Sequence, residues 1–193
     1  MHHRTARVVL LVAILTLLVA ACAGDAPSFD PTGPCTVDGS APGAYPDLEA
    51  RIPTTYEGRA PDTLDSGRNC TAENLGSLAE AGITEVRFAG GTWDFGGNRA
   101  AALVTFAAPG LTRDGIADFY AASARASNRT EVTGESTPTL AGEATRRLDS
   151  STGNRLQTVV AWDGAEPDTV HVVITNDLPD PKIEAAVAAF GGS

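Results

Sequence analysis

Residues 156–175 read LQTVVAWDGAEPDTVHVVIT, and this stretch decides the fold class. In its first part, 156–162, Leu, Thr, Val and Trp alternate with Gln, Val and Ala, and its last part, 169–175, is rich in β-branched residues. A period of two and β-branched enrichment both predict strands. The segment between them carries glycine, proline and acidic residues, which are typical of a loop. The stretch therefore predicts two consecutive strands.

A helix is predicted directly after these strands. Asp180 is a suitable N-cap residue, and Pro181 is typical of a first helical turn. One helical face carries the apolar residues, namely Ile183, Val187 and Phe190. Gly191 then ends the pattern.

Similar patterns extend toward the N-terminus. They predict strands over 83–89, 101–108 and 143–149, and helices that begin after the N-caps Thr71 and Thr112. The strand over 101–108 is apolar on both sides, which is typical of a central strand. Because strands outnumber helices, we expect an α+β fold, with an antiparallel sheet and about three helices packed mainly on one face. This single domain is predicted to span residues 47–193.

The first 21 residues have the composition of a secretory signal. Arg4 and Arg7 precede an uncharged stretch of 14 residues, 8–21, which is shorter than the ~18 residues of a membrane-spanning helix. Residues 22–46 follow, with five prolines and four glycines between residues 23 and 46. This composition predicts a semi-extended tether.

The end of the signal, Val19-Ala20-Ala21-Cys22, resembles the lipobox of bacterial lipoproteins. The resemblance implies that Cys22 receives a diacylglyceryl group and that cleavage follows Ala21, with Cys22 often acylated again on its amine. The protein would then be held at the extracytoplasmic face of the cell membrane by fatty acyl chains. An ordinary secretory signal with an incidental cysteine, or an uncleaved N-terminal anchor, remains the alternative.

With Cys22 assigned to lipid, two cysteines remain. An even number in an oxidising compartment predicts a disulfide between Cys35 and Cys70, with two free thiols as the alternative. A catalytic cysteine is disfavoured, because it needs a base to activate it and His171 is the only histidine after the signal.

Charge excludes nucleic acid as a partner. The net charge is -10 and the chain holds a single lysine, whereas phosphate binding needs clustered cations. Removal of residues 1–21 would take away Arg4 and Arg7 and lower the charge to -12. Such a surface is repelled by anionic headgroups.

No catalytic residue, metal ligand set or cofactor motif is predicted. There is no Gly-x-Ser-x-Gly elbow beside His171, and one histidine without a spare cysteine excludes zinc clusters. Oxygen ligands for calcium could come from a loop with Asp163, Glu166 and Asp168, but their spacing does not match a calcium-binding loop.

The glycine-rich stretch 90–97, GGTWDFGG, predicts a mobile hairpin connection that carries Trp93 and Phe95. One hypothesis is that both rings contact a ligand or partner, because exposed aromatic residues concentrate binding energy. The alternative is that both rings fold back over the sheet edge and contribute to stability.

Residues 140–190 combine a Leu-Ala-Gly turn, a polar strand with Arg146 and Arg147, a hairpin and a closing helix. This order loosely resembles the C-terminal half of small lipid-anchored α/β sandwiches of the Mog1/PsbP-like type. The resemblance implies a sandwich fold and no particular chemistry.

These observations favour a lipid-anchored, non-catalytic module of the cell envelope. Its partners would be the membrane, through the anchor, and an envelope protein or a small ligand. A small envelope hydrolase that uses carboxylates alone, and a purely structural or assembly role, remain as alternatives.

Overall fold

The computed structural model describes residues 29–190. The strands are β1 Gly39–Ala41, β2 Thr63–Asn69, β3 Val86–Gly96, β4 Arg99–Ala107, β5 Thr130–Ser136, β6 Thr139–Leu140, β7 Glu143–Ala144, β8 Arg146–Thr152, β9 Arg155–Asp163 and β10 Thr169–Asn176. The helices are α1 Pro46–Glu49, α2 Ala72–Leu75, α3 Ser77–Glu80, α4 Arg113–Ala126 and α5 Asp180–Phe190. The predicted signal and Cys22 lie outside the described residues. None of the helices within residues 29–190 is both long and apolar enough to cross a bilayer.

Eight of the strands form one sheet in the order β1-β2-β3-β4-β10-β9-β8-β5, and β6 and β7 form a separate ribbon. Each neighbouring pair in the large sheet is antiparallel. The α+β class and the antiparallel sheet are therefore confirmed. The last strand of the sequence, β10, lies between β4 and β9, so the two strands predicted over 156–175 lie side by side in the middle of the sheet.

Helices cover both faces of this sheet. On one face α1 and α5 pack over a core that includes Trp93, Leu103 and Val173. On the other face α2, α3 and α4 pack over a core that includes Val170 and Val172. The prediction of about three helices mainly on one face is thus wrong: residues 29–190 hold five helices in two layers. The physical reason is that the central strands carry apolar side chains on both faces, and each apolar face must be covered.

The glycine-rich stretch also differs from the prediction, because most of it is strand rather than loop. β3 continues to Gly96, and the hairpin turns at Gly97 and Asn98, whose φ angles are +62° and +68°. A Cβ on Gly91 would lie 3.0 Å from both the Trp93 ring and Ile52. Glycine at this position therefore lets the ring and Ile52 pack directly against the strand.

The packed unit begins before residue 47. The predicted disulfide between Cys35 and Cys70 is confirmed, and β1 pairs with β2 at the sheet edge. The Tyr45 N–H donates to Ser66 Oγ at 2.7 Å. The described part of the predicted tether, 29–46, thus lies against the domain, because a covalent bond and backbone hydrogen bonds hold it there.

Asp38 joins this N-terminal segment to the start of α2. Its carboxylate accepts hydrogen bonds from the N–H groups of Cys70 at 2.5 Å and Thr71 at 2.9 Å, and from the Asn74 amide at 2.7 Å. The Thr71 hydroxyl donates to the same carboxylate. Burial alone would raise the pKa of Asp38, but the hydrogen bonds from Thr71, Cys70 and Asn74 outweigh it and lower the pKa to about 2.

We predict that Asp38→Asn lowers the free energy of unfolding by about 1–2 kcal/mol at pH 7, because a carboxylate that accepts several hydrogen bonds is lost. The folded-state pKa lies below the ordinary aspartate value of 3.8, so the stabilisation is present above about pH 4 and disappears as the pH falls through about 2. Urea unfolding over this pH range measures the difference. Asp47→Asn is the control with little effect, because Asp47 is exposed and its carboxylate forms no hydrogen bond or ion pair within residues 29–190. A difference between wild type and Asp38→Asn that is independent of pH would contradict the prediction.

Candidate functional site

A groove opens where β2 ends, β3 begins and β4 ends. Its volume is about 420 Å³, and its walls come from the segments 31–33, 82–85 and 107–109. Tyr45, Arg68 and Arg87 complete the lining. We call this feature the arginine groove.

The two arginines of the groove are direct neighbours across two strands. Arg68 of β2 pairs in register with Arg87 of β3, and Arg87 pairs on its other side with Ala107 of β4. Directly opposed residues of an antiparallel pair project from the same face of the sheet. Like charges in this arrangement destabilise a sheet, so the register places a local concentration of positive charge in an acidic protein.

Arg68 is held rigidly at the base of the groove, where only 5% of its surface is exposed. Its Nη2 donates to the carbonyl oxygens of Asp30 at 2.7 Å and Pro34 at 3.2 Å. Its Nη1 lies 3.6 Å from Glu85 Oε2, which is an ion pair but too long for a hydrogen bond. Its buried Nε has no hydrogen-bond partner among residues 29–190. One donor of the buried guanidinium, Nε, is thus unsatisfied.

Arg87 is exposed and packs beside an aromatic ring. Its guanidinium carbon lies 5.7 Å from the centre of the Tyr45 ring, a distance at which a cation is attracted to the ring face. The ion pairs formed within residues 29–190 do not include Arg87. Burial raises the pKa of the Tyr45 phenol, so this ring stays neutral near pH 7. Arg87 is consequently a cation whose charge no carboxylate of the described chain offsets at close range.

A second concavity of about 240 Å³ adjoins the arginine groove and shares Arg87 and the segment 107–109 with it. Arg51 lines this second space and pairs with Glu166 at 2.5 Å. Arg87 therefore lies on the boundary between the two spaces and is accessible from both.

Trp93 does not line either space. The structure places its indole inside the core with 0% exposure, and its Nε1 donates to the Arg59 carbonyl at 2.9 Å. The ring meets Tyr56 edge to face at a centroid distance of 5.8 Å. Of the two arrangements that the sequence left open for Trp93, the structure thus has the one in which the indole folds back against the sheet.

Phe95 is half-buried near the far end of β3 from the groove. Its ring meets Tyr56 at 5.8 Å and lies between two cations, Arg59 at 5.5 Å and Lys182 at 5.6 Å. Lys182 also pairs with Glu57. The ring therefore fastens the start of α5 to the segment before β2. Phe95 and Arg87 are eight residues apart on β3, which corresponds to roughly 26 Å.

His171 lies on the face of the sheet covered by α5. Its Nδ1 is hydrogen-bonded to Thr105 Oγ1 at 2.9 Å, and its ring packs against Trp162 and Phe190 at 5.5 and 4.5 Å. Burial, assisted by the charge of Arg51, lowers the pKa of His171 to about 4. Thr105 is fully buried, and its hydroxyl holds the imidazole in this orientation.

The acidic loops bind backbone groups of this chain. Asp163 accepts a hydrogen bond from the Arg113 N–H, Asp168 from the Gly110 N–H and Asp177 from the Leu156 N–H, at 2.9–3.0 Å. Within residues 29–190, no group of three or more histidine, cysteine, aspartate or glutamate side chains is placed to hold a metal ion.

The sequence patterns do not identify Arg68, Arg87 or Tyr45 as a site. The alternation of apolar and charged residues over 83–89 predicts that Arg87 lies on the polar side of that strand. This local pattern does not predict which residue lies opposite Arg87. Its neighbour Arg68 is 19 positions earlier in the chain, so only the register of the sheet brings the pair together.

Comparison with known proteins adds no assignment. The chain matches no protein-family model, and no curated protein matches it significantly.

We predict that Trp93→Ala lowers the free energy of unfolding by about 3–5 kcal/mol, because it removes a buried ring and its hydrogen bond. Phe95→Ala is the comparison and costs less, because its ring is half-buried. Chemical denaturation of both variants, together with the emission wavelength of the wild-type tryptophans, measures this. A decrease in the free energy of unfolding below about 1 kcal/mol, together with the emission spectrum of a solvent-exposed indole, would contradict this prediction and favour Trp93 as a ligand contact.

Proposed function

We propose that this protein is a lipid-anchored module of the extracytoplasmic face of a bacterial membrane, and that its folded domain binds a small ligand without catalysing a reaction. The observation that carries the binding role is the arginine groove. The anchor is supported by the lipobox-like Val19-Ala20-Ala21-Cys22. The Cys35–Cys70 disulfide supports the compartment, because such bonds persist in oxidising environments.

The anchor has a clear physical basis. A single acyl chain binds membranes only marginally, whereas two or more hold a protein stably, since each buried methylene contributes ~0.8 kcal/mol. From Cys22 the chain reaches the first described residue, Phe29, in seven steps. At ~3.5 Å per residue this short span extends at most about 25 Å. The folded domain would therefore stay close to the membrane surface.

The size and the construction of the arginine groove support a ligand site. Its volume of about 420 Å³ falls within the ~300–1,000 Å³ of typical small-molecule sites. Arg68 is fixed by the Asp30 and Pro34 carbonyls, and the disulfide ties the 31–33 wall to the end of β2. Such rigid walls lower the entropic cost of binding.

The absence of a reacting constellation in the groove favours binding over catalysis. Among its described lining residues the titratable groups are Tyr45, Arg68, Glu85 and Arg87. Glu85 is the one carboxylate, and a carboxylate-dependent hydrolase needs two such groups that face each other across the substrate.

The anchor is tested by replacing the lipidated residue. Mass spectrometry of the mature N-terminus should find Cys22 acylated in the wild type and in Ala26→Ser, outside the lipobox. We expect Cys22→Ser to carry no acyl chain and to lose cleavage after Ala21. An unmodified thiol at residue 22 of the wild type, or normal cleavage of Cys22→Ser, would overturn the anchor.

The binding role is tested by filling the groove. We expect acylated protein purified from its own membrane to release a small molecule on denaturation, detectable by mass spectrometry. Ala107→Phe should abolish this, because Ala107 lines the groove beside Arg87. Ala122→Phe, on the exposed side of α4, is the matched control.

Thermal unfolding verifies that both variants fold. If Ala107→Phe does not fold, Thr84→Trp, at an exposed residue of the groove wall, is used to fill the groove in its place. A wild-type protein without a bound molecule, or the same molecule bound equally to the filled variants, would contradict the binding role.

A further inference from the structure

We propose that the arginine groove recognises an oxyanion, namely the carboxylate or phosphate group of a small molecule, held between Arg87 and Arg68. This inference rests on the proposed function, since it names the chemical class of ligand for the same groove. Three independent observations lead to it: the uncompensated charge of Arg87, the unsatisfied donor of Arg68, and the mixed lining of the remaining space.

The first observation concerns charge. Most cations of the described chain have carboxylate partners, and the arginines without one are Arg87, Arg99, Arg129 and Arg155. All four are exposed, but Arg87 lines the groove and lies directly opposite a second arginine. Two carboxylates act on this pair: Glu85, at 3.6 Å from Arg68, and Asp30, which interacts electrostatically with Arg68. Neither forms an ion pair with Arg87. An oxyanion bound here would relieve the repulsion between the two guanidinium groups.

The second observation concerns hydrogen bonds. The two carbonyl oxygens on Nη2 of Arg68 leave Nε without an acceptor in the described chain, while Glu85 and the Tyr45 hydroxyl are the other polar groups beside this guanidinium. A buried donor that lacks an acceptor is costly, and native proteins rarely leave one. A guanidinium presents its N–H groups in a planar fork that matches carboxylate and phosphate oxygens. Because Arg68 lines the groove, an oxyanion bound there would place an acceptor beside this guanidinium.

The third observation concerns the rest of the lining. Tyr45, Ile83 and Pro109 supply apolar surface next to the arginines, and the exposed Thr84 supplies a hydroxyl. The hydrogen bonds formed within residues 29–190 leave this hydroxyl free for a ligand. A site of this kind fits a small organic anion better than a bare ion, because covering the apolar part of the lining is also favourable.

A free small molecule is favoured over a lipid headgroup as the source of the oxyanion. Without residues 1–21 the chain carries a net charge of -12. An extended anionic surface is repelled by such a protein over about one Debye length, ~8 Å at physiological salt. A small anion experiences this repulsion least once it has entered the groove between the two arginines.

The test uses the acylated full-length protein in a neutral detergent at constant ionic strength. Inorganic phosphate, citrate and glucose are titrated at millimolar concentrations and followed by calorimetry and thermal unfolding. We expect saturable binding of phosphate or citrate and none of glucose. Arg87→Gln should weaken this binding about tenfold or more, since a charge-assisted hydrogen bond to the anion is lost.

Arg129→Gln is the matched control. Arg129 lies outside the groove, is exposed and forms no ion pair within residues 29–190, so the variant removes the same charge without altering the groove. It should leave the affinity unchanged within about twofold. Equal weakening by both variants would attribute the binding to net charge and overturn the inference. A lack of saturable binding by either anion would overturn it as well.

Two further experiments distinguish a free anion from a lipid headgroup, and failure of the oxyanion inference from failure of the binding role. Binding to phosphatidylglycerol vesicles that depends on Arg87, without binding of phosphate or citrate, would overturn the inference in favour of a membrane contact. Release of a neutral molecule that Ala107→Phe abolishes and Arg87→Gln does not would preserve the proposed function and refute the oxyanion. Release of an acidic molecule that both variants abolish would support both.

Discussion

The double-sided burial of the strands in the middle of the sheet is the constraint on which the rest of this structure depends. In β10, Val172 faces one core and Val173 the other, and both are fully buried. Their neighbours in register are Val104 and Ala161 for Val172, and Leu103 and Val160 for Val173. A sheet with two apolar faces is stable only when both are shielded from water. The two helical layers follow from this requirement.

The same register builds the arginine groove. β3 is hydrogen-bonded on both sides, so Arg87 is fixed opposite Arg68 and Ala107. A slip of one residue would turn Arg87 and Trp93 to the opposite face, away from the core in which Trp93 is buried. The core and the groove therefore cannot vary independently. The packing that buries Trp93 at one end of β3 also holds the cation at the other end in position.

Charge acts on two length scales in this protein. The whole chain is acidic, with a net charge of -10, and this repels large anionic surfaces. In the groove, Glu85 and Asp30 act on Arg68, whereas Arg87 has no ion pair within residues 29–190. Interactions beyond ~8–10 Å are screened by physiological salt, so a small oxyanion in the groove interacts mainly with the residues that line it, Arg87 among them. This combination favours small anions over polyanions and membrane surfaces.

Local interactions allowed much of the secondary structure to be predicted from sequence. The alternation over 156–162 corresponds to β9, the β-branched run over 169–175 to β10, and the side chain of Thr112 caps α4 as predicted. Capping and side-chain alternation depend on residues a few positions apart. The pairing of Cys35 with Cys70 also followed from sequence, because counting cysteines requires no geometry once one is assigned to lipid.

Other features depended on contacts between distant segments, and only the tertiary structure decided them. Gly90 and Gly91 suggest a flexible loop locally, but Ile52 and Val104 approach them so closely that a strand without side chains fits best. The approach of Arg68 to Arg87 is likewise set by strand register across the chain. The sequence by itself thus determined the local elements, the disulfide and the acidic charge. The tertiary structure decided which faces are buried and where the arginines meet, because register and packing are properties of the whole sheet.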